Sequence, residues 1–401
     1  MARRRPYQVV AKPIGPACNL DCRYCYYLDK KSLYPERQAP SDWEMPDAVL
    51  ESFIRQKLET SDQPLETFCW QGGEPTLLGA GFFRKVLALQ REYAGGRQIE
   101  NSLQTNGILL DDDWCRFLAD SGFLVGISID GPREMHDAYR IDLAGKPTFD
   151  RVVRGVELLR KHGVQFNTLT AVHDRNARHP LEVYAFLEDL GSRFMQFIPI
   201  VERAAGEAGP SERSVEPGQL GAFLIAVFDH WVRHDVGARF VQLFDVSLQA
   251  WCGIEASLCL FSETCGRAPA LESNGDLYAC DHFVFPEYRL GNILRQSLRS
   301  MVESRQQAAF GARKRDGLPR CCRECEFLFA CRGGCPRNRF SISPDGEPGL
   351  NSLCAGYRQF FAHVEPYMRF MAGELRQRRS PARVMAWARD RDARALRDAQ
   401  G

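Results

Sequence analysis

Three cysteines near the start of the chain carry the clearest chemical signal in this sequence. Cys18, Cys22 and Cys25 follow a short stretch, residues 8–12, that is typical of a strand. Three thiolates this close together can ligate three irons of a 4Fe-4S cluster. A zinc site would need a fourth ligand, and the segment contains no further cysteine and no histidine. The trio therefore predicts an iron–sulfur cluster in which one iron keeps an open coordination position for a small molecule.

A second group of cysteines lies in the last part of the chain. It comprises Cys259, Cys265, Cys280, Cys322, Cys325, Cys331, Cys335 and Cys354. This group is large enough for two clusters with four thiolate ligands each. Zinc is the alternative, because Cys-x-x-Cys spacing also suits structural zinc, but the trio upstream favours iron. Cys321 competes with its neighbour Cys322, which we prefer because it forms a chelating turn with Cys325. The remaining thiols are expected to behave as small apolar groups: Cys69, Cys115 and Cys252.

Several residues that suit a nucleotide or amino-acid ligand follow the predicted strands. Gly73 and Glu74 come after strand 65–70, where glycine lets the backbone approach a ligand and a carboxylate can fix an ammonium group. Ser128 ends another strand and is placed to reach a ribose or an amino acid. Arg140 offers a guanidinium fork that suits a carboxylate. In β/α barrels the rim after the strands carries the chemistry, so we expect these residues to form one site.

Strands and helices alternate over the part of the chain that must position these residues. The predicted strands are 8–12, 65–70, 99–104, 124–129, 164–170 and 194–200. Apolar periodicity predicts helices over 47–60, 79–93, 149–162, 180–190 and 220–234, with another beginning at residue 111. About six β/α units in succession predict an α/β fold in which a parallel sheet curls into a partial, TIM-like barrel.

The pattern changes near residue 236. We expect residues 1–235 to form the partial barrel and residues 236–375 to form a small cysteine-rich domain, with a turn over 273–276. Residues 376–401 are rich in arginine, and we expect them to form a solvated terminal helix.

Composition narrows the possible function classes. The chain has 401 residues and a formal net charge of +1, which argues against charge-driven binding of nucleic acid. No run of 18 apolar residues indicates a membrane helix, and the basic N-terminus lacks the apolar stretch of a signal peptide. The 15 cysteines are an odd number in a chain without an export signal. They therefore indicate metal or redox chemistry in the cytoplasm rather than a set of disulfides.

The segments around these residues resemble a known family. Cys-x-x-x-Cys-x-x-Cys, with Tyr24 before the last cysteine, resembles the radical S-adenosylmethionine signature, and the later cysteines resemble a SPASM domain. Seven segments closely resemble anaerobic sulfatase-maturating enzymes: 11–13, 70–76, 102–107, 128–132, 176–179, 278–281 and 289–293. The resemblance runs from about residue 8 to residue 360 and leaves out the Arg-rich tail.

The resemblance implies three 4Fe-4S clusters and S-adenosylmethionine as cofactors. The trio would hold the radical cluster. The first auxiliary cluster would have the ligands Cys259, Cys265, Cys280 and Cys335, and the second would have Cys322, Cys325, Cys331 and Cys354. The residues implied to contact S-adenosylmethionine are Gly73 and Glu74 at the amino group, Arg140 at the carboxylate, Val201 at the adenine, and also Tyr24 and Ser128.

The resemblance also implies the reaction. Such enzymes convert a Cys or Ser in a sulfatase motif (Cys or Ser, any residue, Pro or Ala, any residue, Arg) to Cα-formylglycine. A 5′-deoxyadenosyl radical removes a hydrogen atom from the β-carbon, and the thiol or hydroxyl loses its proton as the remaining electron leaves. Both groups are mostly protonated at neutral pH, so a base is needed. The resemblance assigns this role to Asp281, which follows Cys280. Its position alone is equally typical of a turn aspartate.

Partners follow from the same resemblance, and two other functions compete with it. The expected partners are a sulfatase polypeptide and a low-potential electron donor such as flavodoxin or ferredoxin.

A radical maturase that crosslinks a ribosomal peptide would share both domains, although the 17 residues before Cys18 leave no room for the extra peptide-binding domain that many carry. An electron carrier or a zinc-stabilised binding protein would not need the open iron of the trio. The sequence leaves open whether the target residue is Cys or Ser.

Overall fold

Two compact units make up the chain in the computed structural model, which describes residues 6–37, 39–204 and 209–400. The first unit comprises Met1–Ile129, His136–Phe166 and Thr264–Arg313. The second comprises Asp130–Met135, Asn167–Glu263 and Lys314–Gly401. The units interleave along the chain, and the predicted boundary near residue 236 stays a prediction about sequence domains.

Parallel strands form the centre of the first unit. They pair in the order Val10–Lys12, Leu65–Trp70, Gln98–Thr105 and Leu124–Ser128. Beyond the first strand the sheet continues with Ala270–Glu272, which is parallel to it, and then with the antiparallel strands Asp276–Tyr278 and Arg289–Asn292. Because parallel strands end at the same edge, the residues after Lys12, Trp70, Thr105 and Ser128 come together there.

Helices and aromatic side chains complete the first unit. Its helices are Asp47–Thr60, Gly79–Tyr93, Asp112–Asp120, Phe149–Lys161, Leu298–Val302 and Arg305–Asp316, the last of which ends beyond the unit. Asp111 caps one helix by accepting the backbone N–H of Trp114, the favourable role of a carboxylate at a helix start. In the core, Trp70 lies 5.9 Å from Phe53 and 6.1 Å from Phe83 between ring centroids. Such edge-on aromatic contacts stabilise the packing of helices on the sheet.

The second unit combines a short parallel sheet with longer helices. Its strands are Phe166–Val172, which begins at the border of the unit, Phe194–Pro199 and Phe240–Val241, with a separate hairpin of Ser341–Ile342 and Pro348–Leu350. Its helices are Pro180–Asp189, Pro217–His234, Gln242–Trp251, Arg320–Arg323, Leu328–Cys331, Cys354–Arg376 and Val384–Gln400, while Arg133–Asp137 is split between the units. A Cβ atom on Gly221 would meet the backbone oxygen of Gly356 at 3.0 Å, so glycine permits the close approach of two long helices.

The Arg-rich tail forms a terminal helix as predicted, but one of its faces is buried. The helix Val384–Gln400 is docked on the second unit rather than solvated, since Val384 and Ala388 are fully buried. The ring of Trp387 stacks on Phe370 at 4.9 Å, and the next turn carries an ion pair between Asp392 and Arg233 at 2.7 Å. A few apolar residues on one face are therefore enough to hold a mostly charged helix in place.

Other fold predictions are confirmed. The chain has the predicted α/β fold with parallel strands, and helices 47–60 and 79–93 and strand 65–70 have the predicted bounds. The predicted turn over 273–276 joins two antiparallel strands, with Gly275 at φ 88°. No helix among the described residues is long and apolar enough to cross a membrane.

Candidate active site and cluster sites

The first three cysteines form a compact thiol site in the first unit. The backbone N–H of Cys25 donates to the carbonyl of Cys22 at 2.9 Å, and the N–H of Leu20 donates to Cys18 Sγ at 3.4 Å. Burial raises the pKa of Cys18 to about 12, and the nearby charges of Glu74, Cys22 and Cys25 add to this effect. Three thiols that repel one another as anions are a suitable donor set for iron, whose positive charge removes that repulsion.

Gly73 and Glu74 make hydrogen bonds within the protein, to the backbone just before Cys18. The N–H of Gly73 donates to Gly15 at 2.7 Å, and that of Glu74 donates to Ala17 at 2.9 Å. A Cβ atom on Gly73 would lie 1.8 Å from the Ala17 carbonyl oxygen. The glycine therefore lets this loop approach the backbone just before Cys18, and its predicted contact with S-adenosylmethionine stays a prediction.

The carboxylate of Glu74 is fully buried and ties two strand ends together. It accepts hydrogen bonds from the backbone and hydroxyl of Thr76, from the hydroxyl of Thr105 at 2.7 Å and from the N–H of Asn106 at 2.7 Å. Burial raises the pKa of Glu74, whereas these donors lower it. Asn106 in turn donates to Asn19 at 2.7 Å, beside Cys18. Glu74 is thus a positioning residue for the cysteine loop, a role that the sequence did not reveal.

The other predicted cofactor contacts fall into both units. In the first, Tyr24 is buried, its ring lies edge-on to Tyr139, and the guanidinium of Arg140 is 5.5 Å from the Tyr24 ring centroid. Ser128 is buried at the end of its strand, as predicted. Val201 is buried in the second unit. The structure therefore brings Tyr24 and Arg140 together, and the roles of all these residues toward S-adenosylmethionine stay predictions.

Asp281 lies in the first unit within a network of charged and aromatic groups. Its Oδ1 is 2.5 Å from the ammonium of Lys12, whose side chain is 2% exposed. Its Oδ2 accepts a hydrogen bond from the hydroxyl of Tyr26 at 2.5 Å. The ring of Tyr26 lies 4.7 Å from that of His282. Both oxygens of the residue predicted as the base are therefore held by side chains from the first 30 residues of the chain.

Electrostatics keep Asp281 ionised. Burial alone would raise its pKa, but the charges of Lys12 and His282 and the hydrogen bonds to it lower the pKa to about 2. The contact with Lys12 is an ion pair without a well-aligned hydrogen bond. Among the described residues, no group donates an aligned hydrogen bond to the buried Oδ1. This oxygen instead faces the positive charge of Lys12.

A second acid lies in the same network and was missed from the sequence. Glu272 is 2% exposed, and the hydroxyl of Tyr27 lies 2.6 and 2.8 Å from its two oxygens. Burial raises the pKa of Glu272 to about 7. Lys12 lies 4.5 Å from the centroid of the Tyr27 ring, and its charge lowers the pKa of Glu272, so one ammonium acts on both acids. The available signal was Lys12 itself, a charged residue in an otherwise apolar strand directly before the cysteines.

The cysteines assigned to the second auxiliary cluster all lie in the second unit. Burial is the largest effect that raises the pKa of Cys322, Cys331 and Cys354. The charges of Cys331 and Cys354 further raise the pKa of Cys322. The charge of Cys325 further raises the pKa of both Cys331 and Cys354. The four thiols are therefore near neighbours and fit an iron–sulfur cluster. The charge of Cys321 also raises the pKa of Cys322 and of Cys354. The structure therefore does not decide whether Cys321 or Cys322 is the cluster ligand.

The first auxiliary set draws on both units. Cys265 and Cys280 belong to the first unit, and Cys259 and Cys335 belong to the second, so their assembly into one site stays a prediction. Each is held locally: the N–H of Cys265 donates to Gly311 at 3.1 Å, and the carbonyl of Cys259 accepts from Lys314 at 2.7 Å. Of the three leftover thiols, Cys115 is fully buried as expected, whereas Cys69 and Cys252 are half-buried.

Sequence comparison matches two regions of the chain to families. The Radical SAM superfamily matches residues 13–187, and an iron-sulfur cluster-binding domain, SPASM, matches residues 264–326. The first region includes the cysteine trio, and the second includes Cys265, Cys280, Cys322 and Cys325.

Relatives extend the match over nearly the whole chain. A serine-type anaerobic sulfatase-maturating enzyme of Bacteroides thetaiotaomicron is 47% identical, covering 96% of both chains. The chain belongs to the anaerobic sulfatase-maturating enzyme family. A cysteine-type member from Clostridium perfringens is 35% identical and covers 92% of this chain and 100% of its own length. This membership confirms the predicted family, and it makes the chain a radical S-adenosylmethionine enzyme with iron–sulfur clusters.

Solved structures agree with this assignment. The structure described as native anSMEcpe with bound AdoMet is 36% identical, covers 92% of this chain and 100% of its own, and has a TM-score of 0.83. A further structure of that protein, with AdoMet and the Kp18Cys peptide, also has a TM-score of 0.83, at 34% identity. Streptococcus suis SuiB with its precursor peptide is 16% identical with a TM-score of 0.61, so the likeness to that protein concerns the fold alone.

Proposed function

We propose that this enzyme oxidises the side chain of a serine or cysteine in a sulfatase to Cα-formylglycine, and that serine is its preferred target. The serine-type relative is 47% identical over 96% of the chain, whereas the cysteine-type relative is 35% identical over 92%. The observation that carries the proposal is the Asp281 carboxylate, which is kept ionised and is fixed by Lys12 and Tyr26.

Residues of the chain divide the work of holding the cofactors. Cys18, Cys22 and Cys25 would hold the radical cluster, and Tyr24 and Arg140 would contact S-adenosylmethionine. When bound, these groups supply the radical that removes a hydrogen atom from the target β-carbon, and the auxiliary clusters accept the remaining electron. Glu74 fixes the loop before Cys18 relative to the ends of two strands, which keeps the cysteines in place.

Asp281 takes the proton from the target hydroxyl or thiol in this proposal. Its pKa of about 2 makes it a weak base, yet it is fully ionised before the substrate arrives. A weak base is sufficient because the hydroxyl of a carbon-centred radical is far more acidic than an ordinary alcohol. Loss of the electron then drives loss of the proton. Lys12 and Tyr26 hold the carboxylate in one orientation, which positions it for the proton transfer.

The partners follow from the same chemistry. The substrate is a polypeptide segment with a Ser or Cys two residues before Pro or Ala and four before Arg. One-electron reduction of a low-potential cluster calls for a donor such as flavodoxin or ferredoxin. A solvent-accessible iron is oxygen-sensitive, and we therefore place the enzyme in a reducing cytoplasm.

A direct competition between two peptides tests the proposal. The anaerobically reconstituted enzyme is mixed with S-adenosylmethionine, dithionite and equal amounts of peptides containing Ser-x-Pro-x-Arg and Cys-x-Pro-x-Arg. We expect the Ser peptide to lose two hydrogens faster than the Cys peptide exchanges sulfur and two hydrogens for oxygen. Faster conversion of the Cys peptide would overturn the serine preference alone. Formation of 5′-deoxyadenosine with neither peptide changed would overturn the substrate and favour the crosslinking maturase.

A further inference from the structure

A buried tyrosine hydroxyl in the second unit lacks a hydrogen-bond partner. Tyr357 is 1% exposed, and its hydroxyl reaches no acceptor among the described residues, cysteine sulfurs included. A buried hydroxyl without a partner costs free energy on the order of 1–3 kcal/mol. Buried polar groups in proteins nearly always have a partner, so a missing partner indicates a group that the polypeptide itself does not supply.

The position of Tyr357 indicates what that group is. It lies three residues after Cys354 in the helix Cys354–Arg376, and residues three apart lie on the same face of a helix. Its ring packs edge-on against Phe261 at 5.7 Å and lies parallel to Phe361 at 6.4 Å. Both rings are apolar, so the polar end of Tyr357 has no alternative acceptor in that shell.

Charges near the hydroxyl agree with this position. Burial raises the pKa of Tyr357, and the two charged groups that add to this effect are the thiolates of Cys331 and Cys335. Cys331 belongs to the set assigned to the second auxiliary cluster, together with Cys354 one helical turn from Tyr357. Cys335 belongs to the set assigned to the first auxiliary cluster, so it is Cys331 and Cys354 that place Tyr357 beside the second set.

We propose that Tyr357 donates its hydrogen bond to a sulfur of the iron–sulfur cluster held by Cys322, Cys325, Cys331 and Cys354, and thereby sets the reduction potential of that cluster. A hydrogen bond to sulfur withdraws electron density from the cluster and stabilises the reduced form, which carries more negative charge. Tyr357 thus acts through the cluster, by making it easier for the cluster to accept an electron. This inference does not depend on which peptide the enzyme oxidises.

The test is a redox titration of the two auxiliary clusters. In the full-length chain with Cys18, Cys22 and Cys25 replaced by Ala, the radical cluster is absent and only the auxiliary signals remain. Tyr357→Phe keeps the ring and its packing and removes only the hydroxyl. We expect iron content to be unchanged and one midpoint potential to fall, with the reduction equilibrium shifted about tenfold toward the oxidised form, or about 59 mV for one electron.

Further variants identify the cluster and separate tuning from packing. Cys354→Ser alters one ligand and marks which signal belongs to the second cluster. Tyr367→Phe, further along the same helix, removes another largely buried tyrosine hydroxyl and is expected to leave both potentials unchanged. A fluorotyrosine at position 357 is a stronger donor of equal shape and should shift the potential upward, even if the Phe variant loses iron. Unchanged potentials in both position-357 variants, or a shift of the other cluster only, would refute the proposal.

Discussion

Two thiol-rich regions of this enzyme lie in opposite surroundings. In the first unit, the charged network of Lys12, Tyr26, Tyr27, Glu272 and Asp281 combines an ammonium, two acids and two phenols that are largely buried. In the second unit, the aromatic shell around the cysteines consists of Phe261, Phe327, Tyr357 and Phe361. Among these four side chains, the hydroxyl of Tyr357 is the one polar group.

The difference matches the particle that each region transfers, a proton in the charged network and an electron in the aromatic shell. Proton transfer needs groups that can hold or lose charge, and buried charges are tolerated only when opposite charges and donors surround them. Electron transfer needs no proton acceptor, and an apolar shell keeps water from the cluster and sets its potential. The charged network is therefore where we expect substitutions to affect chemistry, and the aromatic shell is where we expect them to affect redox potential.

The largest effect is expected for Asp281→Asn, which removes the base and leaves a side chain of equal size. Formylglycine formation should fall by about 10²- to 10⁴-fold, the usual contribution of a positioned base. Cleavage of S-adenosylmethionine needs no base at this position, so 5′-deoxyadenosine should still form. Both products are measured in the same reaction by mass spectrometry. Equal loss of both would mean that Asp281 supports the site as a whole and not the proton transfer.

Lys12→Met tests whether the cation is needed for the charged network. Removing one partner of a buried ion pair leaves two acids without their cation, so we expect unfolding free energy to fall by about 3 kcal/mol and product to become uncoupled from 5′-deoxyadenosine. Lys57→Met is the matched control in the same unit, because Lys57 is equally buried and pairs with Glu66 at 2.6 Å. The control should lose stability but still form product in proportion to 5′-deoxyadenosine. If both variants form 5′-deoxyadenosine without product, Lys12 has no specific role in the reaction.

Gly73→Ala tests the close contact between the Glu74 loop and the cysteine loop. The added Cβ atom would lie 1.8 Å from the Ala17 carbonyl oxygen, so one backbone must move. We expect a loss of about 3 kcal/mol of stability and a lower iron content at the radical cluster. Gly81→Ala is the control, since no atom lies within 4 Å of its added Cβ. Iron assay and anaerobic denaturation compare the two; full iron in Gly73→Ala would contradict the contact.

The smallest effect is expected at Asp245, a half-buried acid in the second unit. Burial alone raises its pKa to about 6 from an ordinary value of 3.8. A raised carboxyl pKa favours the neutral form, so its stability contribution is complete below pH 3.8 and is lost as the pH rises through about 6. Asp245→Asn should therefore stabilise the enzyme by about 1–2 kcal/mol at pH 8 and by much less at pH 4. Thermal unfolding at the two values checks this, and an equal effect at both would exclude ionisation as the cause.

Local patterns allowed much of the fold to be predicted. Helix 47–60 and strand 65–70 have strong periodicity and clear ends, and their bounds were predicted correctly. The docking of the tail was missed because only a few apolar residues, including Val384 and Trp387, lie among many arginines. Such a face is visible only when its partner helices are known.

The candidate site was predicted only in part. Cysteine spacing within short segments is visible in the sequence, and so is a segment such as 278–281. The ion pair of Lys12 with Asp281 joins residues far apart in the chain, and no local pattern relates them. Nothing in the segment around Glu74 shows that Thr105 and Asn106 donate hydrogen bonds to it. Long-range pairing of polar groups is therefore the part that required the structure.

Transfer of deuterium tests the central claim most directly. A Ser-x-Pro-x-Arg peptide carrying deuterium at the serine β-carbon is incubated with the reconstituted wild-type enzyme, S-adenosylmethionine and dithionite under anaerobic conditions. We predict that one deuterium appears in 5′-deoxyadenosine and that the peptide becomes an aldehyde retaining the other deuterium. Deuterium-free 5′-deoxyadenosine together with an unchanged peptide would contradict the assignment of this enzyme to serine oxidation.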